Sequence, residues 1–254
     1  MKTPYLGPWM RKSTAKYANR LGEEKDLLTE LIDALPDYVT FTQSFHPGIT
    51  NWLPLHWKGF RQSTKYTYRI TETADPESLW KETRENIRTD IKKARKVVTL
   101  QECDDFSEVI RLHKLTCERQ GFQFAHTDEE MMMIHAGCLK HQCSKTVIAR
   151  DGEGRAHAAG YFIWDRETVY YYTSGANPAL RNSGAGSLVI WAGIEMASRM
   201  GKAFDFEGSM EEPIERVFRA FGARQLPYFQ LEHVRQPGMA RIFRFLQKLR
   251  SGIQ

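Results

Sequence analysis

"ALRNSGAGSL", residues 179–188, lies between the aromatic run "VYYYTSGA" (169–176) and the apolar run "SLVIWAGIEMASRM" (187–200). Such a passage from strand to helix leaves the first backbone N–H groups of the helix without internal acceptors, at the positive end of its dipole. Gly184 and Gly186 let the chain curl close to a ligand, and Arg181 adds a guanidinium. Arg181, Asn182, Ser183, Gly184, Ala185, Gly186 and Ser187 therefore read as a cradle for a phosphate or pyrophosphate. The alternative is an ordinary loop ahead of a buried helix. A P-loop would close on Gly-Lys-Ser/Thr, whereas Ser187 and Leu188 follow Gly186. A dinucleotide fold would open the first helix of a parallel βαβ unit with its glycines, and that context is missing.

Working outward from this stretch, residues 145–176 read as three strands joined by tight turns, "DGEG" (151–154) being the clearest. After the apolar helix come a strand "AFDFEGS", an amphipathic helix "PIERVFRAFG" with Pro213 in its first turn, and a strand around "YFQLEHV". Before residue 145 the pattern predicts a helix over 15–35, strands at "YVTFTQS", "KYTYRIT" and "VVTLQE", and helices at "FSEVIRLHKLTCERQG" and near "DEEMMMIHAGCLKH". Trp80, Ile87, Ile91 and Ala94 fall at helical spacing and predict one basic helix through "RENIRTDIKKARK", its charged side either solvated or facing an anion. The fold class is α+β, a mostly antiparallel sheet flanked by helices.

The chain also repeats itself in part. "YVTFTQSFHPGI" and "AFDFEGSMEEPI" align Phe41 with Phe206, Ser44 with Ser209 and Ile49 with Ile214, and "GFRQ" (59–62) then answers "GARQ" (222–225). A half-copy of one domain preceding a full copy is the expectation. It divides the chain into a partial half-domain over 1–76, a full domain over 77–235 and a basic amphipathic helix over 236–254.

Composition narrows the function classes. The 254 residues carry a net charge of +5, 26% charged and 41% hydrophobic residues, the balance of a water-soluble globular chain with an anionic partner. No apolar run is long enough to cross a bilayer, and "MKTPYLGPWMRK" lacks the apolar core of a signal peptide, so cytoplasmic residence is expected. Four cysteines do not make a disulfide scaffold. His135, Cys138, His141 and Cys143 cluster without a second ligand pair, and no metal is expected there. The tail "MARIFRFLQKLRS" aligns Met239, Ile242, Phe243, Leu246 and Leu249 against Arg241, Arg244 and Lys248. Residues 239–250 would suit either packing on the chain's own domain or peripheral contact with an anionic membrane.

The Arg-x-x-Gly-x-Gly loop resembles the coenzyme A pyrophosphate loop of the GNAT acyltransferases. "NIRTDIKKARK", "VYYYTSGA" and "FDFEGSMEEPIERVFRAFGARQLPYF" are similar to the Fem-type, tandem-GNAT branch, over about residues 77–235. The first copy lacks the three strands and the glycine loop. The resemblance implies an acyl-CoA (acetyl-CoA) donor, a small-molecule or peptide-like amine acceptor, and a pantetheine arm along the backbone of Tyr172 to Ser174. The branch also includes aminoacyl-tRNA-dependent peptidyltransferases of cell-wall synthesis, so charged tRNA is the alternative donor. A silent binding module of the same fold is the non-enzymatic alternative.

Transfer of an acyl group to an amine needs a base for the ammonium and an acid for the leaving thiolate. Strand alternation puts Asp205 and Glu207 on one side of "FDFEGS". Glu207, at the strand end, is the candidate base, against a capping or ion-pairing role; Asp205 is read as structural. Alternation also puts Tyr172 and Ser174 on one face, as candidates for the acid, against an aromatic core strand.

Overall fold

The computed structural model describes residues 5–11, 13–121, 126–208 and 210–235. They form two compact units, described over residues 5–66 with 226–235 and over residues 67–225. Both boundaries fall inside strands, β2 (Arg61–Ile70) and β8 (Arg224–Val234). The tail carrying the amphipathic pattern of 239–250, and the helix expected over 236–254, lie outside the described residues.

In the first unit, α1 (Tyr17–Asp33) buries Leu28 and Ile32, one turn apart, as the 3.6-residue period requires. β1 (Thr40–Ser44) pairs antiparallel with β8, from Thr40 opposite Val234 to Ser44 opposite Gln230. The short α2 (Leu53–Trp57) adds Leu55 to a small core with Phe45, Phe60 and Leu231.

In the second unit, α3 (Pro76–Glu82) and α4 (Glu85–Ala94) replace the single helix expected through Trp80 and Ala94. The chain breaks between them because Thr83 is extended (ψ 132°) and buried, its hydroxyl donating to the Leu79 carbonyl at 2.9 Å. The amide of Arg84 then goes to Ala220 instead of an α3 carbonyl. β3 (Thr99–Cys103), α5 (Ser107–Gln120) and α6 (Asp128–Lys140) follow, α6 opening on a capping box between Thr127 and Glu130. Next come β4 (Ser144–Arg150), β5 (Ala156–Trp164) and β6 (Thr168–Ala176), the three strands read from the sequence. A single 3₁₀ turn over Arg181–Ser183 leads into α7 (Ala185–Arg199), then β7 (Ala203–Asp205) and α8 (Glu212–Ala220).

The strand order here is β2-β7-β6-β5-β4-β3. All neighbouring pairs are antiparallel except β6 and β7, the two strands joined through α7. One face packs Val169, Phe162 and Phe204 against α4, α7 and α8; the other packs Ile148, Ala159 and Tyr161 against α5 and α6. α7 is buried nearly all round, and each of its Leu188, Val189, Ile190, Ile194 and Met196 side chains contributes about 1.5–3 kcal/mol by leaving water. Gly193 admits the Phe162 ring, whose Cε1 would stand 2.1 Å from an added Cβ.

The two aligned stretches lie in runs of the same element order. Helix, strand, helix, strand occurs as α1-β1-α2-β2 and again as α7-β7-α8-β8. The two repeat glycines, Gly59 and Gly222, end α2 and α8 in the left-handed region, at φ +85° and +81°. Among the described residues no helix is long and apolar enough to cross a membrane.

Candidate active site

The glycine loop stands where β6 hands the chain to α7. Gly184 takes φ +79° and caps the helix. A Cβ on it would sit 2.3 Å from the Asp90 carbonyl oxygen of α4, so this glycine is required by packing as well as by conformation. Lys93, one turn further along α4, donates to the Asn182 carbonyl. One lysine of the basic helix is thus committed to the loop. Leu188 is the first α7 residue whose N–H finds a helical acceptor, Gly184 O at 3.2 Å. Of the three amides before it, Ala185 N–H goes to Ser183 Oγ at 3.3 Å. Those of Gly186 and Ser187 have no acceptor within the helix. Arg181 is exposed, and no carboxylate among the described residues pairs with it. A Cβ on Gly186 would meet open space.

Beyond the loop the sheet opens. β6 and β7 pair only from Thr168 opposite Ala203 to Tyr170 opposite Asp205, while β6 runs on to Ala176. β7 stops because Asp205 turns its side chain on its own backbone. Its carboxylate accepts the Glu207 N–H at 2.7 Å and the Thr67 hydroxyl at 2.6 Å. This Asx turn carries Glu207 to φ +61°, followed by Gly208 at +73°. The alternation expected through "FDFEGS" therefore ends at Asp205, since a left-handed residue is no longer part of a pleat. A non-glycine residue there costs about 1–2 kcal/mol.

Glu207 retains some exposure as a residue, yet its Oε1 is sealed from solvent without a hydrogen-bond partner. Burial, and then the charge of Asp205, hold its carboxyl well above the usual carboxylate range. Tyr172 lies close enough to feel it. Burial first, then the Glu207 charge and that of Cys138, push the Tyr172 phenol up to about 12.

Tyr172 and Ser174 do not share a face. Phe162 stands opposite Tyr171 and Tyr161 opposite Thr173, which leaves Tyr172 as the extra residue of a β-bulge. The bulge resets the alternation. Tyr172 packs on Tyr161 toward α5, whereas Tyr171 lies tilted against Phe162 and edge-on to Phe206 on the other side, and the Ser174 hydroxyl hydrogen-bonds Tyr171. Sequence periodicity has no means of finding a bulge, because it belongs to the pairing with β5.

Three residues that periodicity does not single out also border this region. Arg69 of β2 lies directly opposite Asp205, donates from Nη2 to Thr168 Oγ1, and has a buried Nε with no acceptor. His113 and Thr116 of α5 bond the backbone of β6 at Ser174 and Ala176. Under α6, His135 Nδ1 lies 2.9 Å from Tyr161 OH, and burial holds Cys138 up at about 11 beside Cys143. Among the described residues no three His, Cys, Asp or Glu side chains converge as metal ligands.

No curated protein matches the chain in sequence. Among solved structures, FemX superposes with a TM-score of 0.68 at 11% identity, covering 91% of this chain and 81% of its own. A conserved protein of unknown function from Bacteroides thetaiotaomicron gives 0.59 at 15% identity, over 83% of this chain and 75% of that one. The C-terminal domain of a putative lysylphosphatidylglycerol synthetase from Agrobacterium fabrum gives 0.58 at 9% identity, over 88% and 75%. At these identities the likeness is one of fold. The family model described as an acetyltransferase (GNAT) domain matches residues 81–212, from α3 through the glycine loop and Glu207 to the start of α8, and the chain belongs to that family.

Proposed function

We propose that the protein is a cytoplasmic N-acyltransferase that moves an acyl group from acyl-CoA, acetyl-CoA in the simplest case, to the amine of a small-molecule or peptide-like acceptor. The observation that carries this reading is the parting of β6 and β7 beside a carboxyl and a phenol, next to a loop with open amides. The Gly186 and Ser187 amides, with Arg181, suit the donor pyrophosphate. Residues 181–187 are the donor loop in this reading.

The acceptor nitrogen attacks the thioester carbonyl. The acceptor attacks as the neutral amine, having already released a proton to solvent, and its nitrogen becomes an ammonium as the C–N bond forms. As the C–S bond breaks, one proton must leave that ammonium and one must reach the thiolate. Glu207, in its ionised form, takes the first. Its raised affinity for protons brings it nearer to the ammonium it must deprotonate, and its sealed Oε1 has no competing partner. Tyr172 stays protonated at neutral pH and supplies the second. Ser174 is turned toward Tyr171, and its hydroxyl is given no part.

Gly186→Glu tests the donor loop at a position where an added Cβ meets nothing within 4 Å. Wild-type protein should gain thermal stability with acetyl-CoA and the variant should not. If acetyl-CoA shifts neither melting nor the amide spectrum of the wild type, the reading fails. Binding of charged tRNA that weakens steeply with salt would move the donor to the aminoacyl-tRNA alternative. If acetyl-CoA binds but Glu207→Gln and Tyr172→Phe leave the transfer rate unchanged, the catalytic assignments are wrong.

A further inference from the structure

The opened edge of β6 is not bare. Asn177 N–H donates to His157 C=O of β5 at 2.9 Å, so by strand alternation Gly175 faces β5 while Ser174 and Ala176 direct their backbone groups outward. With β7 ending at Asp205, those groups have no strand to pair with. α5 supplies the partners. His113 Nδ1–H donates to the Ser174 carbonyl at 2.7 Å, with Thr173 Oγ1 at 3.2 Å from the same nitrogen. The Ala176 N–H donates to Thr116 Oγ1 at 3.0 Å, and the Thr116 hydroxyl lies 3.3 Å from the Ala176 carbonyl. The helix can come this close because Gly175 has no side chain. A Cβ there would stand 2.1 Å from the Leu112 carbonyl carbon and 2.2 Å from the His113 nitrogen.

An exposed strand edge is a template for any extended chain that carries amides, and the arm of coenzyme A carries two. We infer that His113 and Thr116 are internal occupants of the edge that a donor arm would pair with, and that they set donor affinity by having to be displaced. The inference rests on the acyl-CoA reading above. It makes the pair determinants of donor selectivity: a donor held only through its phosphates is unaffected by them, and one held along its arm competes with them. Replacing an existing hydrogen bond returns little net free energy, so the arm adds less affinity here than it would on an empty edge.

The test measures dissociation constants by calorimetry for coenzyme A and for 3′-phospho-ADP, which has the phosphates and lacks the arm. The proteins are wild type, His113→Ala, Thr116→Val and His113→Asn, each checked for folding by circular dichroism. Asparagine places an amide nitrogen where Nδ1 of histidine stands and keeps the bond to Ser174. His113→Ala and Thr116→Val should each bind coenzyme A about five-fold more tightly, the net weight of one hydrogen bond. Both should bind 3′-phospho-ADP as the wild type does, and His113→Asn should match the wild type on both ligands. Equal coenzyme A affinity in all four proteins overturns the inference and leaves the acyl-CoA reading standing. Equal tightening toward 3′-phospho-ADP also overturns it, because the effect would then reach the loop and not the arm. If no protein binds coenzyme A, even with the edge uncovered, the acyl-CoA reading falls and takes the inference with it.

Discussion

Replacing Gly184 by alanine and, separately, Gly186 by alanine should move stability in opposite directions, although the two glycines are one residue apart in the same motif. At Gly184 the backbone sits at φ +79°, where an L-residue costs about 1–2 kcal/mol. The new methyl would also lie 2.3 Å from the carbonyl oxygen and 2.8 Å from the carbonyl carbon of Asp90. Both are backbone atoms of α4 and cannot swing aside, and overpacking of this kind costs about 1–3 kcal/mol. The sum is roughly 2–5 kcal/mol, or a melting temperature lower by roughly 4–20 °C for a chain of this size. At Gly186, the second residue of α7, nothing lies within 4 Å of an added Cβ. Alanine is there the better helix former by up to about 1 kcal/mol. Urea unfolding followed by far-UV circular dichroism, with a thermal scan beside it, measures both. If Gly184→Ala stays within about 0.5 kcal/mol of the wild type, the close approach of α4 to the loop is wrong. A loss of more than about 1 kcal/mol in Gly186→Ala would equally refute the open space around it.

Glu207 and Asp151 should respond to pH with opposite signs. The folded carboxyl of Glu207 is held well above the unfolded value near 4.3, so its protonated form is favoured in the fold. Its contribution is fully present at acid pH and is lost as pH rises through the folded value. The stability of Glu207→Gln relative to wild type should therefore increase from pH 4 upward in urea midpoints, and a constant difference would contradict the buried, unpartnered Oε1. Asp151 is held far below the ordinary range, first by its hydrogen bond to His157 at 3.0 Å and also by Arg155. Its contribution is present above the unfolded value near 3.9 and is lost as pH falls below it; acid unfolding of Asp151→Asn should lack that component. Gly175→Ala should cost at least about 2 kcal/mol, because its Cβ would meet the backbone of α5 and not a movable side chain; a near-neutral result in the same urea assay would show that α5 does not press on β6.

Much of the architecture is legible along the chain. The strands at 144–150, 156–164 and 168–176, the helix after the glycine loop and the helix ending at Asp33 follow from alternation, helical period and turn residues. The misreadings share one cause. Trp80 and Ile87 fit a single helical period, but Thr83 is buried and the Arg84 amide is committed to Ala220, more than a hundred residues away. Tyr172 and Ser174 fit a single pleat, but the register with β5 inserts a bulge between them. Asp205 and Glu207 fit one face, but the Asp205 carboxylate ends the strand by bonding the Glu207 amide. Each pattern is locally sound and is overridden by a hydrogen bond or a pairing that periodicity does not register.

The glycine loop shows the same division within a few residues. That a glycine-rich turn with an arginine precedes a long apolar helix is written in the residues, and unsatisfied amides at its start follow, because helix geometry leaves them so wherever a helix begins. The commitment of Gly184 to α4, with Gly186 left open, comes from packing. So do the parting of β6 and β7 beside Glu207 and Tyr172 and the hold of His113 and Thr116 on the freed edge. Local propensities act over a few bonds, and these features are set by the close approach of elements tens of residues apart, which exist only once the chain has packed.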